Sequence, residues 1–518
     1  MKKVLRKISI IGLCSLGIVL ASSCTDLEFE NEAFIVPVGV GNADELLASS
    51  YGQLREFANE RVIFGLSGHS SDEILGPTRG TDWFDGGVFQ QMQQHTWDAN
   101  HAFIQTSFND LNLGVFRATQ AMVGDGATPQ IVAEAKTVRA YFWFHILDFW
   151  GITLDRGAEQ GIEVNPVVRS SAESVAFLIA DLESALPDLP DTSSPNRVNK
   201  NSARALLAKL YLNKGVYEAE DRSTGSFSFA AADMNKAIEY VNDITASGNY
   251  SVSSGVLGYY NTFAERNDEQ SSELIFSVPR TELTDFKRRW NYTLHYNQKP
   301  SGWNGFATLS DFYDSFEDDD IRKGAEYNSD TNPYTSSTGT RAGFLIGQQF
   351  DEAGNALTTR GGDPLAYTRD VDFAVNTEEK GIRVLKYIPD FSGGVDNADD
   401  PNNSYVLLRY ADALLNKAEA IYRGGTDPNG QTATDVIDEI RVARGLTAGS
   451  LTLTDDTLLA ERGRELYWEG WRRNDLVRFG KFLDAWQQKP ASGPERILFP
   501  IPTPALLANP DITQNPGY

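Results

Sequence analysis

The sequence predicts a mainly α protein, an array of paired helices interrupted by one long loop-rich α/irregular region. Three observations carry this. Apolar residues recur at helical spacing from Asp44 to Phe57, from Phe103 to Ala246 and again after Tyr405. Between them, 249–403 is rich in Gly, Asn, Asp, Thr and aromatic residues. With 518 residues, 41% hydrophobic and 23% charged, the chain has enough apolar material for a large core.

The N-terminus is a targeting segment. Lys2, Lys3, Arg6 and Lys7 precede an apolar run from Ile8 to Ala21 that is too short to span a bilayer, so residues 1–23 read as a secretory signal peptide. Leu20-Ala21-Ser22-Ser23-Cys24 resembles a bacterial lipobox, in which the cysteine is acylated and becomes the first residue. After cleavage Cys24 is the only cysteine left, which excludes an internal disulfide. Acyl chains on Cys24 hold a protein on a membrane without a spanning helix. Asp26, Glu28 and Glu30 follow, a pattern similar to the export signal of surface-exposed lipoproteins. Residues 24–41 are expected to be a lipidated tether, and 42–518 one domain with its helical core at about 42–248 and 404–482.

Helical spacing predicts elements at Asp44–Phe57, Phe103–Met122, Pro129–Trp150, Glu173–Leu186, Ser202–Val216 and Ala230–Ala246. In the third, Ile131, Ala135, Val138, Phe142, Ile146 and Phe149 form one stripe, with Pro129 at its start and Gly151 at its stop. Ser170-x-x-Glu173 is a capping box and Pro187 ends the helix it opens. Ala203, Ala205 and Ala208 let a partner helix approach closely. Paired helices of this kind suggest a tetratricopeptide-like array, although no clean 34-residue period is present. Residues 61–97 lose the periodicity and read as an irregular loop. Further helices are expected at Tyr405–Tyr422, Thr434–Arg444 and Asp455–Arg473.

The stretch Leu458–Phe482 packs Arg and Glu among Leu459, Leu466, Trp468 and Trp471 at the spacing of one amphipathic helix. Glu461 lies three residues before Arg464, and Glu469 three and four before Arg472 and Arg473, which predicts ion pairs along a surface. An arginine beside each acid keeps it ionised, so an ion network is favoured over a catalytic carboxylate pair.

Glu461-Arg462, Arg464-Glu465-Leu466, Glu469-Gly470, Arg472, Asp475-Leu476, Arg478 and Gly480 together resemble the C-terminal signature of the SusD/RagB-like nutrient-binding lipoproteins. Leu498-Phe499-Pro500-Ile501-Pro502 and Gln514-Asn515-Pro516-Gly517-Tyr518 resemble the ending of that family, and Arg409-Tyr410-Ala411-Asp412 its preceding helix. The resemblance implies a non-catalytic, outer-membrane lipoprotein exposed at the cell surface. It would capture oligosaccharide or polysaccharide, partnered by a SusC-like TonB-dependent transporter.

Catalytic motifs are sparse. No Gly-x-Ser-x-Gly, His-Glu-x-x-His or phosphate loop occurs, and His69, His95, His101, His145 and His295 include no pair at one-turn spacing. No cofactor or metal is expected. The acids at Asp318–Asp320 and Asp396, Asp399 and Asp400 read as solvated loops, since neither fits a calcium loop. The formal charge is −25, and because the first 23 residues hold four basic side chains and no acid, the remainder carries −29. That disfavours nucleic acid and other polyanions, and leans toward a neutral glucan such as laminarin.

Aromatic residues outside the helices are the candidates for binding. Trp83 lies in Pro77-Thr78-Arg79-Gly80-Thr81-Asp82-Trp83-Phe84-Asp85, and Trp290, Tyr292, Tyr296 and Trp303 fall within fourteen residues. The C–H face of a sugar ring packs on an indole while Asp82 and Arg79 could bind hydroxyls. Some of these rings are expected to be loop anchors instead, and Arg79 and Asp82 a turn-stabilising ion pair. Two other classes compete: a glycoside hydrolase using Asp82 and Asp85, and a helical peptide-binding scaffold.

Overall fold

A computed structural model describes residues 41–161, 163–283, 289–329, 332, 334, 342–395 and 402–518. The signal peptide, Cys24 and the tether up to residue 40 lie outside them, as do Lys287, Arg288, Asp396, Asp399 and Asp400.

Helix α1 (Ala43–Gln53) begins at Asn42, whose side chain accepts from the Asp44 N–H. Two short helices follow, α2 (Ile63–His69) and α3 (Val88–Gln94), inside the stretch expected to be irregular. All seven residues of α2 are buried, so it has no polar face and left no period to read.

Helices α4 (Ala102–Ala121) and α5 (Pro129–Trp150) lie within one residue of the predicted bounds. Thr128 accepts from the Ile131 N–H at 3.2 Å, Pro129 occupies the first turn, and Gly151 closes α5 at φ 73°. From Thr137 to Trp150 every residue of α5 is buried, because α1, α4, α6 (Ser171–Ala185) and α7 (Lys200–Tyr217) all pack on it. The capping box of α6 is complete in both directions. Ala203, Ala205 and Ala208 are buried on α7, which packs tightly on α8 (Ala231–Ala246). Each helix from α4 to α8 packs on the next, forming a tetratricopeptide-like array.

The region after α8 holds α9 (Gly255–Asn261), α10 (Asn267–Gln270), β3 (Leu274–Val278) and α11 (Ser310–Asp314), after a short β1–β2 hairpin (Thr153–Asp155 and Val167–Arg169) earlier in the chain. Beyond α11, β4 (Gly324–Ala325), β5 (Ala342–Leu345) and β8 (Arg383–Leu385) make an antiparallel sheet, and β6 (Gly347–Gln348) pairs with β7 (Ala366–Tyr367). Strand β9 (Tyr405–Arg409) pairs antiparallel with β3, Leu274 facing Arg409 and Val278 facing Tyr405. All ten residues are buried. The helix expected from Tyr405 therefore starts at Tyr410, as α12 (Tyr410–Tyr422). A strand covered on both faces shows no alternation.

Helix α12 packs on α7 and α8 and carries α13 (Ala433–Ala443) and α14 (Asp455–Leu466). The single amphipathic helix predicted to Arg473 is two: Trp468 at φ 62° and Gly470 at φ 85° break it, and α15 (Arg472–Arg478) starts afresh. The break redistributes the ion pairs. Glu461 does meet Arg464, at 2.6 Å, and also Arg322 and Arg441. Glu469, however, binds Lys386 at 2.6 Å and Arg409 at 2.7 Å, while Arg472 grips both oxygens of Asp72 at 2.6 and 2.7 Å. Burial would raise the Glu461 carboxyl, but Arg322 and Arg464 outweigh it and hold it at about 2. Glu465, among Arg322, Arg409 and Arg444, is likewise held well below the carboxylate range against its burial.

Candidate functional site

The segment between α2 and α3 is built to present a few side chains. Arg79 and Asp82 exchange backbone hydrogen bonds at 2.9 Å, closing a tight turn over Gly80. Trp83 then sits at φ 65° and Asp85 at φ 43°, left-handed backbone that costs a bulky side chain energy and persists only where the surroundings enforce it. Here they do. The buried Arg79 guanidinium donates to the Gly305 carbonyl at 3.2 and 3.3 Å and to the Thr377 carbonyl at 2.9 Å, joining three distant segments. A Cβ on Gly305 would lie 2.5 Å from the Trp83 ring, so only glycine allows this approach.

Trp83 is half-buried, with one side of its indole against Phe89 and Phe306, and its N–H donates to the Trp303 carbonyl at 3.0 Å. Trp303 and Tyr296 are also half-buried. Trp290 and Tyr292 are not surface residues, contrary to expectation: they are 1% and 0% exposed. They belong to a tight turn against α2 and β9, in which Arg289 stacks over Phe64 at 3.5 Å and Tyr405 at 4.5 Å. These two rings anchor the loop. The side chains of Arg79 and Asp82 do not pair with each other; only their backbones do.

The Asp82 carboxylate instead accepts from the Tyr296 hydroxyl at 3.0 Å and from Arg360 at 3.2 Å, both on Oδ2. Arg360 lies 4.0 Å over the Tyr296 ring, and its Nε donates to Glu378 at 2.5 Å. Glu378 also meets the His295 Nε2 at 2.9 Å. Burial pushes the Tyr296 hydroxyl up to about 12, with Asp82 adding to it, and lowers His295 in spite of Glu378, leaving a neutral imidazole at pH 7. Arg360 and Glu378 were not foreseen. Arg360 comes from a Gly-rich loop far along the chain, which Asn297 ties to Tyr296 through the Thr358 carbonyl, and Glu378 from a separate segment beyond β7.

Arg79, Asp82, Trp83, Tyr296 and Trp303 are thus brought into one cluster, and Trp290 and Tyr292 lie beneath it. The hydrolase candidates are separately tied: Asp85 pairs with Arg61 at 2.7 Å and Asp82 with Arg360. Among the described residues no three acids, histidines or cysteines gather as metal ligands. Asp320 is bound by buried Arg322, and Asp318 by Lys323. A concavity of about 1170 Å³ lies elsewhere, lined by Glu218, Asp221, Phe227, Asp233 and Leu498. It contains none of the expected aromatics.

The SusD family model matches residues 263–495. The starch-binding protein SusD of Bacteroides thetaiotaomicron is 24% identical over 497 residues, covering 88% of this chain and 85% of the relative. A SusD-like protein of Bacteroides ovatus is 22% identical over 482 residues, 90% and 81% of the two chains. Among solved structures, a laminarin-binding SusD-like protein aligns with TM-score 0.65 at 21% identity, covering 92% and 99%. Surface glycan-binding protein A of Bacteroides thetaiotaomicron in complex with laminarihexaose aligns with TM-score 0.66 at 17% identity, covering 91% and 98%. The chain thus matches the SusD family model across residues 263–495, is similar along most of its length to SusD and SusD-like proteins, and shares their fold.

Proposed function

We propose that this protein is a cell-surface glycan-binding lipoprotein that captures a neutral oligo- or polysaccharide, laminarin being favoured, and delivers it to a SusC-like TonB-dependent outer-membrane transporter. The observation that carries the reading is the cluster of Trp83, Tyr296 and Trp303, half-buried around Asp82 and Arg360 on pinned loops. Aromatic faces beside a few fixed polar groups suit a pyranose, whose ring faces are apolar and whose edges carry hydroxyls. Relatives named for starch and laminarin, and a structural neighbour holding laminarihexaose, support a glucan as the ligand class. Lipid on Cys24 would supply the membrane attachment. No described helix is long and apolar enough to cross a membrane.

Calorimetric titration with laminarin, starch, alginate and a peptide pool, alongside an assay for new reducing ends, tests this reading. Saturable binding of a neutral glucan without cleavage is expected. Cleavage products, or binding confined to peptides, would replace it.

A further inference from the structure

We propose that Asp82 and Arg360 form a hydroxyl clamp that selects neutral sugars with adjacent free hydroxyls and rejects uronic acids. The inference rests on the glycan-binding reading above and adds to it the chemical basis of selection. The two side chains are half-satisfied in a complementary way. Both protein bonds to the Asp82 carboxylate end on Oδ2, so among the described residues Oδ1 has no partner. Arg360 is held through its backbone N–H and Nε by Glu378 and through Nη2 by Asp82, and no described residue binds Nη1. With the guanidinium laid over Tyr296 at 4.0 Å, its plane is set before any ligand arrives.

A fixed donor edge therefore stands beside a fixed acceptor, on side chains that are about half exposed on Arg360 and 39% exposed on Asp82. A sugar hydroxyl both donates and accepts. One hydroxyl of a vicinal pair accepts from Nη1 while its neighbour donates to Oδ1, and a ring held this way lies next to the Trp83 and Trp303 indoles. Hydrogen bonds to charged groups are the stronger kind, and groups ordered beforehand lose little entropy on binding. A carboxylate at the same place is opposed. Asp82 and Glu378 already occupy Nη2 and Nε of Arg360, the other cations nearby, Arg79 and Arg383, are buried behind the cluster and donate mainly to main-chain carbonyls, and His295 is neutral.

The test is calorimetry on the full-length protein with laminarihexaose, maltohexaose, cellohexaose and a mannuronate hexamer, with melting curves for each variant. The parent is expected to bind at least one neutral hexaose and not the mannuronate. Arg360→Met keeps most of the stem over Tyr296 but removes the donor edge, and should weaken that binding at least about tenfold at an unchanged melting temperature. Asp82→Asn should weaken it similarly, and Arg360→Lys should fail to restore it because an ammonium lacks the fixed fork. Parent-like affinity in both Arg360→Met and Asp82→Asn would overturn the clamp while leaving glycan binding standing. Binding of the mannuronate by the parent would overturn the selection. A parent that binds no hexaose in the panel would overturn the glycan reading and the clamp with it.

Discussion

The indole N–H of Trp83 donates to the main-chain carbonyl of Trp303 at 3.0 Å, across 220 residues of sequence. The two tryptophans at the surface of the cluster are thus joined to each other, one through its side chain and the other through its backbone, while Trp290 is packed away beneath them.

That division separates affinity from stability. Trp303→Ala should leave the Trp83 bond intact and cost about 2 kcal/mol of glycan binding, roughly thirtyfold in affinity, with little change in melting temperature. Trp290→Ala should do the reverse and destabilise the fold by about 3–5 kcal/mol, since it empties a core site. Calorimetric binding and thermal melting of both variants decide it; equal affinity in Trp303→Ala and parent would remove that ring from the platform.

Arg472→Ala strands the Asp72 carboxylate, and Glu469→Ala strands Lys386, 1% exposed at its side chain, and takes one of three carboxylates from buried Arg409. Each is expected to cost about 3–5 kcal/mol in denaturant unfolding and nothing in ligand affinity once folded. A variant that melts like the parent yet loses its glycan would place this network in the site.

Glu73 is fully buried, neither carboxyl oxygen has a partner among the described residues, and burial raises its pKa to about 8. In the unfolded chain it ionises at its ordinary value of 4.5. Stability is therefore present below pH 4.5 and lost as pH rises toward 8, by ~3 kcal/mol at pH 7. Glu73→Gln should melt above the parent at pH 7 by a margin that vanishes near pH 4. A margin independent of pH would show that the carboxyl does not titrate on unfolding.

Glu461 behaves oppositely. Its pKa is depressed, so its contribution is complete above 4.5 and disappears as pH falls toward about 2. Acid unfolding should begin below about pH 4.5, and Glu461→Gln should flatten that limb while lowering stability at pH 7. Urea midpoints at pH 3, 5 and 7 measure both effects.

Cys24→Ala should leave the protein folded and release it from the membrane, since acyl chains on that residue are its expected anchor. Detergent-phase partitioning reads this out, and variant protein that stays in the membrane pellet after a high-salt wash would refute the anchor.

Much of the helical array is legible because its apolar stripes are regular and several helices carry their own punctuation. Thr128, Pro129 and Gly151 bracket α5, and Ser170 with Glu173 opens α6, all within a few residues of the stripe they delimit. Elements buried on every side were not legible: α2 lacks a polar face, and β9 lacks alternation. In the cluster, Trp83, Tyr296, Trp303 and Asp82 were found from composition, but exposure was not, since Trp290 and Tyr292 have the same local context as Tyr296. Arg360 and Glu378 depend on two loop segments, either side of β7, returning across the fold, and a loop's path leaves no period in sequence.

The pins that hold the cluster have a common target. Arg79 ends on the carbonyls of Gly305 and Thr377, Trp83 on that of Trp303, and Asn297 on that of Thr358. A carbonyl is supplied by any residue, so the side chains at 303, 358 and 377 are free to drift without unfastening the loops. Trp83 apart, architecture and appetite are thereby inherited separately: a descendant could exchange its other sugar-facing groups one at a time, and an engineer could retarget the protein by swapping Trp303 or the 358–362 loop while leaving Arg79, Trp83 and Gly305 untouched.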